Sequence, residues 1–187
     1  MKARAMKSRS RWTSWIGALP YALIAAGTAL RLAPHPPNFT PIGAMALFAG
    51  AVLPGGWAFA VPFAALGLSD LVLGFYPGSA WVYGSFALIV LIGMALRRGR
   101  TPLRIGTAAI ASSVLFFAVT NFGEWFGPLY PHTMAGLRAD FVAAIPFFRN
   151  TVLSDLLYAA AFFGAYDSAA RLARQRAAHL PSAQRTT

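Results

Sequence analysis

Two short segments place a hydroxyl beside a carboxylate inside apolar runs: Leu68-Ser69-Asp70-Leu71 and Leu153-Ser154-Asp155-Leu156. A carboxylate in such surroundings is costly unless a cation or hydrogen-bond donors face it. The cations toward the same side of the chain are Arg31, Arg149 and Arg138. Two chemistries follow. Either these groups close structural salt bridges, with Arg149 held by Asp155 or Asp70, or Asp70, Asp155 and Arg149 hold a polar ligand directly. Asn121 and Glu124 add an amide and a third carboxylate nearby in sequence depth. Asp70 or Glu124 would be the general acid or base if the chain were a small intramembrane enzyme.

Other site chemistry is excluded by residue type. The chain has 0 cysteines, so it can form no disulfide, thiolate nucleophile, zinc–cysteine site or iron–sulfur cluster. Its 3 histidines, His35, His132 and His179, form no pair at i, i+4 and have no carboxylate at metal-site spacing. His35 and His132 are the fallback metal ligands, although a histidine in a proline-rich loop more commonly packs locally. No glycine-rich phosphate loop or G-x-S-x-G elbow is present, and no catalytic cofactor is expected.

The elements that must position these residues are membrane helices. Of the 187 residues, 57% are hydrophobic and 11% charged, against about 25% charged in soluble domains, and mean hydropathy is +0.56. Proline, glycine and arginine divide the apolar sequence into spans at Trp15–Leu32, Ile42–Leu53, Trp57–Phe75, Trp81–Leu96, Ile105–Trp125 and Thr151–Ala170, with a shorter element at Met134–Phe148. Residues 15–170 thus form one six-helix membrane domain between basic tails at 1–14 and 171–187. The second span, about 18 Å long, is shorter than a hydrocarbon core of about 30 Å. It must be shielded by neighbours or end in a buried loop. The first span reads as an uncleaved helix and not as a signal peptide, because further spans follow and Arg31 stands at its end.

Charge sets the expected orientation. Of 16 Lys and Arg, all but Arg31, Arg138 and Arg149 fall in segments that an even number of spans puts on the N-terminal side. The positive-inside rule then places both termini in the cytoplasm. The net charge of +11 records this topology and contact with anionic lipid, not nucleic-acid binding, since no folded basic domain exists to carry it.

On this orientation Asp70, Asn121, Glu124 and Asp155 gather toward the outer side, which describes a vestibule closed below and favours substrate binding over a channel. The outer connections agree. They read Pro34-His35-Pro36-Pro37-Asn38-Phe39-Thr40-Pro41, Phe75-Tyr76-Pro77-Gly78-Ser79-Ala80-Trp81, and Trp125-Phe126-Gly127-Pro128-Leu129-Tyr130-Pro131-His132. Proline lowers the entropy lost on ordering, and aromatic residues supply apolar walls, although Trp and Tyr also form interfacial belts. Within the first span Ala18, Ala22 and Ala26 recur at fourfold spacing, which lets helices approach closely, either inside the bundle or against another protein.

The run Arg31-Leu32-Ala33-Pro34-His35-Pro36-Pro37-Asn38-Phe39-Thr40-Pro41-Ile42-Gly43-Ala44, with Leu68-Ser69-Asp70-Leu71, Val119-Thr120-Asn121-Phe122-Gly123 and Ala144-Ile145-Pro146-Phe147-Phe148-Arg149-Asn150-Thr151, resembles the S components of energy-coupling-factor vitamin transporters. More narrowly, it is similar to BtuM-like solitary members associated with vitamin B12 (cobalamin) uptake in bacteria. The resemblance spans roughly residues 15–170. It implies an all-α, six-transmembrane-helix bundle in the bacterial inner membrane, with an outward pocket beneath loops one, three and five. It also implies a corrinoid as transported ligand, with another vitamin or a precursor as the alternative, and a coupling module docking on Ala18, Ala22 and Ala26. The corrin's amide rim would then meet Asn38, Tyr76, Trp81, Tyr83, Asn121 and Arg149, with His35, Phe39, Asp70, Ser79, Trp125, Tyr130 and Asp155 completing the pocket. Relatives can use a cysteine before the fourth helix as a cobalt ligand that promotes decyanation. By loop location that position is Ala80 here, so binding is expected without thiol-dependent removal of cobalt's upper ligand.

Overall fold

A computed structural model describes residues 2–178, and side chains for residues 15–176. The rest of the two basic tails, with His179, lies outside the described residues. Among the described residues the chain is all-helical, with α1 (Lys2–Leu32), α2 (Ile42–Val52), α3 (Trp57–Leu73), α4 (Ser79–Ala95), α5 (Pro102–Trp125) and α6 (Met134–Ala178), and a 3₁₀ turn at Leu96–Arg98. Three helical stretches among the described residues, Trp15–Leu32, Ser79–Arg98 and Pro102–Trp125, are long and apolar enough to cross a membrane.

The short helix α2 is the centre of the bundle. Its sequence IGAMALFAGAV is apolar all round, with every residue from Ile42 to Ala51 buried, as an unstriped helix requires. It touches each of the other five helices. Gly50 and Gly93 let α2 and α4 cross backbone to backbone. A Cβ on Gly50 would meet the Val90 carbonyl, and one on Gly93 the Leu47 carbonyl. Phe48 packs edge-on against Phe163 of α6, ring centroids 5.2 Å apart.

A helix of 11 residues ends inside the structure, so its last carbonyls need donors. Arg97 supplies them, with Nε on Gly50 O at 2.8 Å and Nη2 on Leu53 O at 2.7 Å. An arginine counted in the sequence only as a topological charge therefore also caps the central helix.

Two expectations change. The separate element at Met134–Phe148 is continuous with the sixth span in α6, a helix of 45 residues that runs through Pro146. Proline removes one backbone donor, but neighbouring side chains in a packed bundle hold such a helix together. Ser79, Ala80 and Trp81 are the first turn of α4 rather than loop, because Gly78 turns the chain at φ 84° immediately before them.

Candidate ligand-binding site

The loop between α1 and α2 is rigid for reasons visible residue by residue. Asn38 sits at φ 59°, a left-handed conformation that asparagine tolerates better than most side chains. The Phe39 amide bonds Pro36 O at 3.0 Å. Asn150 of α6 donates to Pro37 O at 2.9 Å, and Phe39 meets Tyr158 with centroids 6.1 Å apart. The Pro-Pro-Asn-Phe-Thr-Pro run is thus fastened to α6, and Pro41 delivers the chain into α2.

Beneath this loop lies a cavity of about 200 Å³. Its rim carries Arg31, His35, Asn38 and Tyr76, its walls Val82, Phe86 and Phe116, and its floor Thr151, Ser154 and Asp155. A smaller pocket of about 80 Å³ shares Asn38, Phe116 and Thr151 with it and adds Asn121. Burial and the nearby Asp70 carboxylate raise the Tyr76 phenol above its ordinary value of 10.0, against the lowering effect of Arg31, so this rim residue presents a neutral hydroxyl.

The two Ser-Asp segments come to the cavity in different states. Asp70 is behind the wall and fully paired. Arg31 Nη2 reaches its Oδ1 at 2.7 Å, with side chains 10% and 1% exposed. Tyr83 donates to Oδ2 at 2.8 Å, and Arg31 also bonds Ser69 Oγ. Asp155 is 3% exposed and forms no salt bridge among the described residues. Ser113 donates to its Oδ2 at 2.7 Å, and the Ala44 amide in the first turn of α2 lies near enough to favour its charged form. A helix N-terminus favours a negative charge. Gly43 makes the approach possible, since a Cβ there would collide with Asp155 Oδ1.

Several expected residues stand elsewhere. Arg149 is exposed, lies outside the cavity lining, and among the described residues forms no salt bridge. Arg31 has taken Asp70, and hydrogen bonds have taken Asp155. Trp81 stacks on Phe126 at 6.2 Å and 5° and fills the space over Gly123, whose missing Cβ it would strike. Trp125 donates its indole N–H to Pro131 O at 3.0 Å. With Phe122 and His132 these rings pack on one another, and none lines the cavity. Phe39, Tyr83, Ser79, Ala80 and Tyr130 are likewise outside its lining, as are Asp70 and Glu124.

The expected metal ligands do not converge. His35 faces Pro36 O and Arg31 O at 2.9 and 3.1 Å, His132 faces Gly127 O at 3.2 Å, and no group of three metal-ligating side chains exists among the described residues.

Sequence reasoning missed Ser113, Thr151 and Gly43. A serine in a helix reads as a neutral spacer, and only the partner across the bundle reveals its role. It also gathered Asp70, Glu124 and Asp155 toward one side and passed over Asp167, which stands at the opposite end and pairs with Arg100 at 3.3 Å. Asp140 was not singled out either. It is buried at 3%, with Oδ2 lacking a hydrogen-bond partner among the described residues.

The chain belongs to a family of unknown function, DUF6580, whose match covers residues 11–179. No curated protein and no solved structure matches it significantly.

Proposed function

We propose that this protein is a multi-pass membrane protein that captures a small solute in the cavity under the α1–α2 loop and serves its uptake, as an S component does. The observation that carries this reading is the buried Asp155 carboxylate at the floor of a 200 Å³ cavity, held by neutral donors while the equivalent Asp70 is closed by an arginine. A ligand that brings a hydrogen-bond donor or positive group completes that site. The charge distribution supports six passes with both termini in the cytoplasm and the cavity opening outward. α2, of 11 residues, is then a membrane-embedded helix sheltered by the others, and α3, of 17, lies at the periphery with Leu68, Leu71 and Val72 exposed.

Cavity size bears on the ligand. Pockets for drug-sized molecules run about 300–1,000 Å³, so a space of about 200 Å³ suits a vitamin precursor or a molecule of similar bulk. A corrinoid is the second reading and rests on the resemblance. It requires the rigid α1–α2 loop and the turn at Tyr76 to part. A coupling partner is part of the same proposal. Ala18, Ala22 and Ala26 are all exposed on α1, and the contact inside the bundle is made instead by Gly27, whose added Cβ would meet Met45 and Phe162.

The test is purification in mild detergent, an absorption spectrum, and mass spectrometry of the released small molecules, for wild type and Asp155→Asn. A colourless small molecule carried by wild type and lost from a folded Asp155→Asn supports the reading. A corrinoid spectrum moves the assignment to the second ligand. Equal retention of the ligand by both proteins overturns the role of Asp155.

A further inference from the structure

The opposite end of the bundle carries two adjoining concavities of contrasting chemistry. One, of about 380 Å³, is polar and is edged by Arg97, Arg100, Asp167, Arg171 and Arg174. The other, of about 350 Å³, is an apolar groove between α5 and α6 walled by Ile105, Gly106, Ala159, Ala160, Phe163 and Gly164. Arg100, Asp167 and Arg171 belong to both, so the polar pocket opens directly onto the groove.

Some of the positive charge is already engaged. Arg97 caps α2 through Gly50 O and Leu53 O, and Arg100 pairs with Asp167 at 3.3 Å while lying over Tyr166 at 5.5 Å. Arg171 and Arg174 form no salt bridge among the described residues and remain available. The positive-inside rule explains arginines anywhere on this face, but it does not explain their placement around a concavity that continues into an apolar slot.

Dimensions name the occupant. From Asp167 up α6 to Leu156, the far wall of the groove, eleven residues at about 1.5 Å each span about 16 Å. That is about half of a 30 Å hydrocarbon core, the depth of one leaflet. A phosphate at one end and an acyl chain along the other satisfy both concavities at once.

We infer that this face holds an anionic phospholipid, its phosphate against Arg171 and Arg174 and one acyl chain in the α5–α6 groove. Basic pockets between membrane helices recognise anionic headgroups in this way. The inference rests on the protein being membrane-embedded, and does not depend on the ligand of the outer cavity.

The experiment is native mass spectrometry of the detergent-purified protein titrated with phosphatidylglycerol, phosphatidylcholine of the same chains, or inorganic phosphate. Wild type should retain phosphatidylglycerol preferentially. The double variant Arg171→Gln/Arg174→Gln should weaken that retention roughly thirtyfold, the factor expected for two arginines near an anionic surface, with phosphatidylcholine unchanged. Gly164→Leu, at a position where an added Cβ meets nothing within 4 Å, should weaken both lipids by obstructing the groove. Ala160→Leu gives the same readout on a second exposed position. Equal retention of the two lipids by wild type, or wild-type preference in the double variant, overturns the inference. Displacement of phosphatidylglycerol by inorganic phosphate, together with silent groove variants, overturns the lipid in favour of a simple anion pocket.

Discussion

Asp70 and Asp155 follow the same Leu-Ser dipeptide and lie buried at 0% and 3% exposure, yet their surroundings differ in kind. Around Asp70 the bundle supplies a full counter-charge, Arg31, and a phenol. Around Asp155 it supplies a serine hydroxyl, a backbone amide and open space. The difference teaches that burial alone does not assign a carboxylate to structure or to binding. What decides is whether the protein itself provides the cation. A closed ion pair leaves nothing for a ligand to add, while a carboxylate satisfied by neutral donors beside a cavity retains that capacity.

The largest expected effect tests the closed site. Arg31→Ala strands the Asp70 carboxylate and should cost about 3–5 kcal/mol of stability, because an unpaired buried charge is far worse than a pair. Replacing both partners, as Arg31→Met/Asp70→Leu, should recover most of that loss. Thermal unfolding in detergent checks both. A single variant as stable as wild type would break the contrast between the two sites.

At the open site the expected effects are smaller in stability and larger in binding. Gly43→Ala pushes a methyl group onto Asp155 Oδ1, which should cost about 1–3 kcal/mol through local displacement and lower ligand retention with it. Unfolding and ligand-retention measurements on the same preparation check whether the two losses occur together. Were Gly43→Ala to lose stability without losing ligand, Asp155 would be a structural group like Asp70.

The smallest effect is expected at Arg149. Exposed and outside the cavity lining, it should tolerate Arg149→Ala within about 0.5 kcal/mol, with ligand retention unchanged. A clear loss in either measurement would extend the open site to a cation that the bundle leaves at its surface.

Legibility followed range. The helices were readable because apolar run lengths and proline, glycine and arginine punctuation are local properties, and the second span announced its need for shielding by being too short to cross a membrane. His35, Asn38, Tyr76 and Asp155 were recognisable as candidates because a rigid proline-rich loop and a carboxylate in an apolar run are unusual locally. The continuity of α6 through Pro146 was not readable, since a proline ends or only bends a helix according to what packs around it.

Composition and pattern by themselves determined that this chain is helical, that it carries spans apolar enough for a membrane, and that its positive charge is concentrated in the two tails and at residues 97–104. These are sums over residues or local periodicities and need no knowledge of contacts. Only the tertiary structure decided that Arg31 rather than Arg149 reaches Asp70, that Ser113 and the first turn of α2 hold Asp155, and that Trp81 and Trp125 pack on their aromatic neighbours instead of lining a pocket. Each of those outcomes depends on which helix faces which, with partners 39 residues apart for Arg31 and Asp70 and 42 for Ser113 and Asp155. Two identical Leu-Ser-Asp-Leu segments therefore acquire opposite roles, because the free energy of a buried charge is set by the groups within a few ångströms of it and not by its neighbours along the chain.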